Sequence, residues 1–246
     1  MNTFDYLYLT SIKQRERFRS VLSLTPNISG KRCLDIGCGN GLFLHMLKKA
    51  GAHAIGIDRF FAAAKAARSA GLTVVADAAH LPFKQHSFQT LFALESIYYI
   101  DETLLSGESH RVLEPAGLFC LTAPYAYPSV NLWKLYGTLS VPNISGHTAV
   151  YKDNDIITRF PNFSVKKDDS FSILFIELIQ ILARKVLGKS LTQEPTSPVI
   201  HTKLSAKSLL ALILIPVVRF FSMLDSILKK IGIIGHNKTY LLQAKI

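Results

Sequence analysis

The chain has 246 residues, 49% of them hydrophobic and 18% charged, with 28 lysines and arginines against 17 carboxylates and a formal net charge of +11. That length buries one sizeable core with an elaboration, and the apolar fraction falls short of a multi-span membrane protein. The charge points to an anionic partner, either nucleic acid or an anionic membrane surface, while Cys33, Cys38 and Cys120, odd in number and without C-x-x-C spacing, indicate neither a disulfide framework nor a metal site.

The opening MNTFDYLYLTSIKQRERFRS has acidic and polar residues where a signal peptide needs an apolar core. The expected setting is therefore cytoplasmic, at most peripheral on the cytoplasmic face of a membrane. Residues 1–30 read as an N-terminal cap segment, with Phe4, Tyr6, Leu7, Tyr8 and Phe18 covering a pocket. From residue 31 onward, apolar runs alternate with helical stretches. Strands are expected over 31–36, 53–57, 72–76, 88–94 and 117–122, with helices over 42–49, 60–69 and 103–113. Strands this apolar are covered on both faces, as in a parallel sheet. A sixth strand is expected over 163–167 and a last one over 239–245, giving an α/β fold: a doubly wound, seven-stranded, mostly parallel sheet. The core occupies 31–170, and its final strand lies within 236–246.

Residues 171–235 break the pattern. They read as a helical, hydrophobic insertion between the last two strands, carrying eight lysines and arginines against three carboxylates. One helix is expected over 171–187, with a polar stripe of Glu177, Gln180 and Arg184, and a second over 204–231. The longest uninterrupted apolar run, residues 209–218, is ten residues, against the roughly 20 that a spanning helix needs. Arg219 and Pro216 oppose an extension of it. An interfacial hairpin on an anionic membrane fits these residues. A soluble lid or a dimer interface remains open beside it.

The stretch CLDIGCGNGLF, residues 33–43, places glycines at 37, 39 and 41 directly behind the first strand. A phosphate-binding loop would end in Gly-Lys-Ser/Thr, and a dinucleotide fingerprint would need glycine at position 42, which is Leu42. What remains is an acid followed by G-x-G-x-G, in Asp35, Gly37, Cys38, Gly39 and Gly41. Such a turn brings bare main chain beside a carboxylate. Asp58 ends the second strand, seventeen residues after Gly41, where a carboxylate is placed to accept ribose hydroxyls.

The Asp35–Gly41 pattern resembles the first motif of class I methyltransferases that use S-adenosylmethionine. ADAAHLPF, residues 76–83, resembles that family's D-A-x-x-L-P-F segment, and RVLEPAG, residues 111–117, its R-V-L-x-P-G-G turn with Ala116 replacing a glycine. The resemblance implies a Rossmann-like methyltransferase fold with S-adenosylmethionine as cofactor. It also implies Asp77 on the adenine amino group, the main chain of Ala78 against the ring, and Arg59 and Glu95 in the same donor site. Two positions depart from the family: Gln89 stands where many relatives have Asp, and Tyr98 or Tyr99 where many have His.

For the acceptor, nucleic acid is disfavoured. The Asn/Asp-Pro-Pro-Tyr/Phe motif of base and glutamine methylases would follow strand four, where this chain reads Leu94-Glu95-Ser96-Ile97. A small-molecule or lipid-linked acceptor, methylated at oxygen or carbon, is the expectation. His147, in SGHTAVY, resembles the histidine of a G-H-x-x-x-Y/F element in methyltransferases of polysaccharide and lipid-linked intermediates, and is the candidate catalytic base. A histidine bonding a loop carbonyl is the plainer reading of it. A non-catalytic donor-binding protein is the remaining alternative.

Overall fold

The computed structural model describes residues 4, 12–124, 151–171, 220, 223, 224, 227 and 237–246. In chain order its elements are α1 (Ile12–Leu24), β1 (Arg32–Ile36), α2 (Leu42–Lys49), β2 (His53–Asp58), α3 (Phe61–Ala67), β3 (Leu72–Val75), β4 (Phe88–Leu94), α4 (Glu102–Val112), β5 (Leu113–Pro124), α5 (Asp153–Arg159), β6 (Phe163–Phe171) and β7 (Asn237–Ala244). One seven-stranded sheet has the order β3-β2-β1-β4-β5-β7-β6. Strands β1 to β5 run parallel, and β7 lies antiparallel between β5 and β6. The order reverses between β1 and β4, so the turns that follow these two strands diverge and leave a crevice at the carboxyl edge.

Alternation along the strands divides the core into two layers. Leu34, Ile36, Leu91, Ala93, Phe119 and Leu121 face α4 and α5, joined by Tyr151, Ile156 and Phe160. Cys33, Phe92 and Cys120 face the opposite way, where Phe18 and Val21 of α1 and Phe43, Leu44 and Leu47 of α2 cover them. Both faces being dry explains why the inner strands carry almost no polar residues.

Several elements depart from the expected bounds; α3 is shorter than 60–69, and α5 was assigned no range from the sequence. Helix α1 was not anticipated: residues 12–24 carry only a sparse apolar stripe, and tertiary contact with the sheet sustains the helix. Strand β5 starts at Leu113 rather than 117, because Leu113 pairs with Phe88 before a register shift, with Ala116 at φ 58°. Strand β6 continues through Lys167, Asp168 and Asp169 to Phe171; it is an edge strand, where charge is tolerated and guards against unwanted pairing. Strand β7 begins two residues early, at Asn237.

Pro124, Asn237 and Phe171 form one register row at the carboxyl edge. Residues 172–236 therefore leave and rejoin the sheet at that edge. Residues 125–150 leave it at Pro124 and rejoin at Tyr151, which is buried and donates its hydroxyl to Glu102, the first residue of α4. Arg159 bonds the other carboxylate oxygen of Glu102 and lies over the Tyr151 ring. Among the described residues no helix is long and apolar enough to cross a membrane. The expected helices over 171–187 and 204–231 lie outside the described residues, apart from the helical positions 220, 223, 224 and 227.

Candidate active site

The crevice is built from the turn after β1. Gly37, Gly39 and Gly41 all have positive φ, at 74°, 55° and 83°, a region that costs side-chain-bearing residues energy. Two of the three are also hemmed in. A Cβ on Gly37 would lie 2.7 Å from Ser96 Cβ, and one on Gly41 would lie 2.9 Å from both Ala67 and Ala70, where α2 begins against the end of α3. Gly39 differs: a Cβ there would meet nothing within 4 Å. Its bare main chain is the part of the turn that faces open space.

Asp58 fastens this turn to the end of β2. Its Oδ2 accepts from the Gly39 amide at 3.0 Å and its Oδ1 from the Phe60 amide at 2.9 Å. Each oxygen keeps a further lone pair for a ligand hydroxyl. The amides of Gly37 and Cys38 both donate to the Ile57 carbonyl, at 2.9 and 2.8 Å. Cys38 is buried, and burial, with Asp35 and Asp58 adding to it, pushes its thiol well above the usual range. It contributes main chain rather than a thiolate.

Asp35 is 2% exposed, and its Oδ2 has no hydrogen-bond partner among the described residues. Burial, and secondarily the nearby charge of Asp58, pushes its carboxyl up to about 7. A buried carboxylate without a partner is costly, and a cationic ligand group beside it relieves that cost. The orphaned oxygen and the open face of Gly39 thus suit a ligand that combines a cationic part with a flat or sugar-like part.

The third expected carboxylate, Asp77, is exposed just beyond β3 and accepts from the Ala79 amide at 2.9 Å, with Ala78 buried beside it. The segment after it is clamped from α4. Arg111 donates to the carbonyls of Leu81 at 2.9 Å and Phe83 at 2.7 Å, while Glu108 accepts from the Leu81 amide at 2.6 Å and bonds Arg111. This contact gives the physical reason the two sequence motifs occur together: the arginine of one holds the main chain of the other. The pairing holds the Glu108 carboxyl below its ordinary range. Arg59 is exposed, its guanidinium 4.7 Å above the Phe60 ring, on the turn that follows Asp58.

Glu95 sits just past β4 with φ 56°, an uncommon conformation for a residue with a side chain. Its amide donates to Thr122 Oγ1 at 3.0 Å, and that hydroxyl donates back to Glu95 Oε1 at 3.3 Å. Ser96, next to it, donates to the Ile36 carbonyl at 3.0 Å and packs where Gly37 must lack a side chain.

One residue at this rim went unread in the sequence. Arg17 of α1 is 6% exposed, its Nη2 3.5 Å from Glu95 Oε1 and its Nη1 donating to Gln14, while Nε has no partner among the described residues. In QRERFR it is one of three alternating arginines. Only the helical spacing that aligns it with Ser20 and Val21 distinguishes it. His147 lies outside the described residues.

Comparison with known proteins agrees with this geometry. Residues 34–121 match the family model described as a methyltransferase domain. Two curated relatives are the ubiquinone biosynthesis O-methyltransferase of Hahella chejuensis and the malonyl-[acyl-carrier protein] O-methyltransferase of Hamiltonella defensa. The first is 29% identical over 43% of this chain and 43% of its own length. The second is 28% identical over 46% and 45%. The matched stretch thus spans less than half the length of either relative. A solved S-adenosylmethionine-dependent methyltransferase from Mesorhizobium loti superposes with a TM-score of 0.57 at 16% identity, covering 95% of this chain and 100% of that one, a likeness of fold.

Proposed function

We propose, from the premise that residues 34–121 form a methyltransferase domain, that the chain transfers a methyl group from S-adenosylmethionine to an oxygen or carbon of an apolar or lipid-linked acceptor at a membrane surface. The observation that carries the donor half is the pairing of an orphaned, buried Asp35 Oδ2 with the unobstructed main chain of Gly39. In this reading Asp58 accepts the ribose hydroxyls, Asp77 and the main chain of Ala78 hold the adenine, and Arg59 borders them on the Phe60 ring. Gly37, Cys38 and Gly41 shape the turn beneath. Asp35 and Glu95 offset the positive groups of the donor, and Arg17 meets its carboxylate.

When bound, the donor supplies a sulfonium-activated methyl group for in-line displacement. The protein's work is alignment, exclusion of water and, for an oxygen acceptor, removal of one proton. We assign that proton to His147. It lies four residues before Tyr151 in sequence, and the bond from Tyr151 to Glu102 at the start of α4 supports this reading.

The acceptor half rests on the rim itself. Residues 125–150 and 172–236 both attach at the carboxyl edge, beside the crevice. Within the second of these, Phe220, Met223 and Ile227 are 53%, 52% and 47% exposed and fall at i, i+3 and i+7, one face of a helix. With the basic excess of 171–235, that face suits contact with an anionic bilayer. Both curated relatives are named as O-methyltransferases, and one name places its bearer in ubiquinone biosynthesis. Those names favour an oxygen acceptor on an apolar compound.

The test supplies the full chain with methyl-labelled donor and anionic vesicles carrying a cellular lipid extract, in parallel with the aqueous extract. Label in the lipid phase, with the protein sedimenting on the vesicles, is expected. Label in the aqueous products alone overturns the lipid acceptor. Donor binding without transfer to either overturns the enzyme.

A further inference from the structure

A row of polar side chains crosses the dry side of the sheet beneath α1. Leu94 of β4, Thr122 of β5, Thr239 of β7 and Asp169 of β6 are successive register partners, and Glu95 follows directly on Leu94. Thr122 and Thr239 are wholly buried. Above them lies Ser20 of α1, 4% exposed, which donates to Asp169 Oδ2 at 2.9 Å. That engages the single proton of Ser20, so its 2.9 Å contact with Thr239 Oγ1 has the threonine as donor. Thr239, Ser20 and Asp169 form a directed chain.

Arg17 stands one turn before Ser20 on the same helix face and reaches Glu95 Oε1, which also accepts from Thr122. Two polar groups thus hold the same face of α1, Arg17–Glu95–Thr122 and Thr239–Ser20–Asp169, set side by side because Thr122 and Thr239 are register partners. Asp168, next to Asp169, is paired with Lys238, next to Thr239, at 2.8 Å. The polar seat therefore lies close to Phe171 and Asn237, where residues 172–236 attach. Val or Ala at these positions would serve burial at no polar cost. A hydrogen-bonded polar seat fixes one placement of α1 where an apolar contact tolerates several.

We infer that Ser20, Thr239 and Asp169 are positioning residues for the donor site: they lock the rotation and height of α1, and thereby hold Arg17 at the end of β4 without touching the ligand. The inference rests on the reading of the crevice as a donor site with Arg17 on the donor's carboxylate. It adds that the seat of α1 ties the roots of the 172–236 segment to the grip on the donor.

The experiment is calorimetry of the full chain with S-adenosylhomocysteine and with 5′-methylthioadenosine, which shares the nucleoside but lacks the amino-acid end. Thr239→Val, which keeps shape and removes the donor hydroxyl, and Ser20→Ala are each expected to weaken S-adenosylhomocysteine binding by about 3- to 10-fold. Both should leave 5′-methylthioadenosine within about 2-fold, and Thr239→Ser should restore the original ratio. Arg17→Lys combined with Thr239→Val should lose less than the product of the two single effects. Equal weakening of both ligands, or full additivity with Arg17→Lys, overturns the positioning role while the donor site stands. Failure of the unaltered chain to bind either ligand overturns the donor reading and this inference with it.

Discussion

Asp35 works against the fold and for the ligand. Its carboxyl lies at about 7 in the folded chain against 3.8 when free, so between those values the unfolded chain sheds a proton that the folded chain keeps. Stability measured without donor should fall as pH rises through that window, by at most about 4 kcal/mol, and level off above it. Asp35→Asn should remove the slope, raising the melting temperature at pH 8 and leaving it unchanged at pH 4. An ammonium group on the ligand favours the ionised carboxylate, so S-adenosylhomocysteine, a zwitterion that keeps this group, should gain up to about 10-fold in affinity from pH 6 to pH 8, and Asp35→Asn should flatten that profile. The glycines separate in the same way. Gly39→Ala meets no atom and should cost about 1–2 kcal/mol through its positive φ, yet weaken donor binding well beyond 10-fold. Gly41→Ala drives a methyl into Ala67 and Ala70, and its larger loss should appear in the melting temperature. These residues were legible because the turn uses consecutive chain. Arg17 was not, because its meaning comes from Glu95, 78 positions away in the sequence.

Elements were legible where periodicity and burial coincide. Helix α2 and strand β4 match their expected bounds because both flanks carry clear breaks, Gly41 and Gly51 around one and Pro82 and Glu95 around the other. Helix α1 failed that test, since charges crowd a stripe whose deeply buried apolar members among the described residues are Phe18 and Val21. The start of β5 failed it too: Pro115 and Ala116 read as a turn, while the backbone absorbs them as an irregularity inside the strand. Contacts between elements are less legible still, and the Arg111 clamp shows what they do. Arg111→Ala should destabilise the chain by about 1–3 kcal/mol by freeing two carbonyls and Glu108. It should also weaken donor binding through slack in the Asp77–Ala78 segment, seen as faster amide exchange over 77–83. Arg111→Lys should rescue little, lacking the fork that spans Leu81 and Phe83.

For the molecule as a whole, a charge of +11 gives association with anionic vesicles a strong ionic-strength dependence. Co-sedimentation should fall several-fold between about 50 and 300 mM salt. A residue that persists at high salt would measure the apolar contribution, which Phe220→Ser with Met223→Ser should remove. An entirely salt-sensitive association, unaffected by those substitutions, would assign the contact to charge alone. The fold class and its crevice were readable because a parallel sheet writes itself as repeated apolar runs with motifs at their ends. The acceptor was not, because it is met by long connections whose placement depends on contacts far apart in sequence.

The meeting of Phe171 and Asn237 across the β6–β7 pair has an engineering corollary. Register partners in antiparallel strands lie about 5 Å apart, the span that an Asn-Gly hairpin bridges without strain. Everything between them is grafted onto the sheet at a single doorstep. Excising 172–236 and closing the gap with those two residues should yield a miniature that folds and still takes up S-adenosylhomocysteine, while losing its hold on vesicles. The same doorstep then becomes a socket, into which segments from other chains are exchanged to redirect the chemistry while the sheet is left alone.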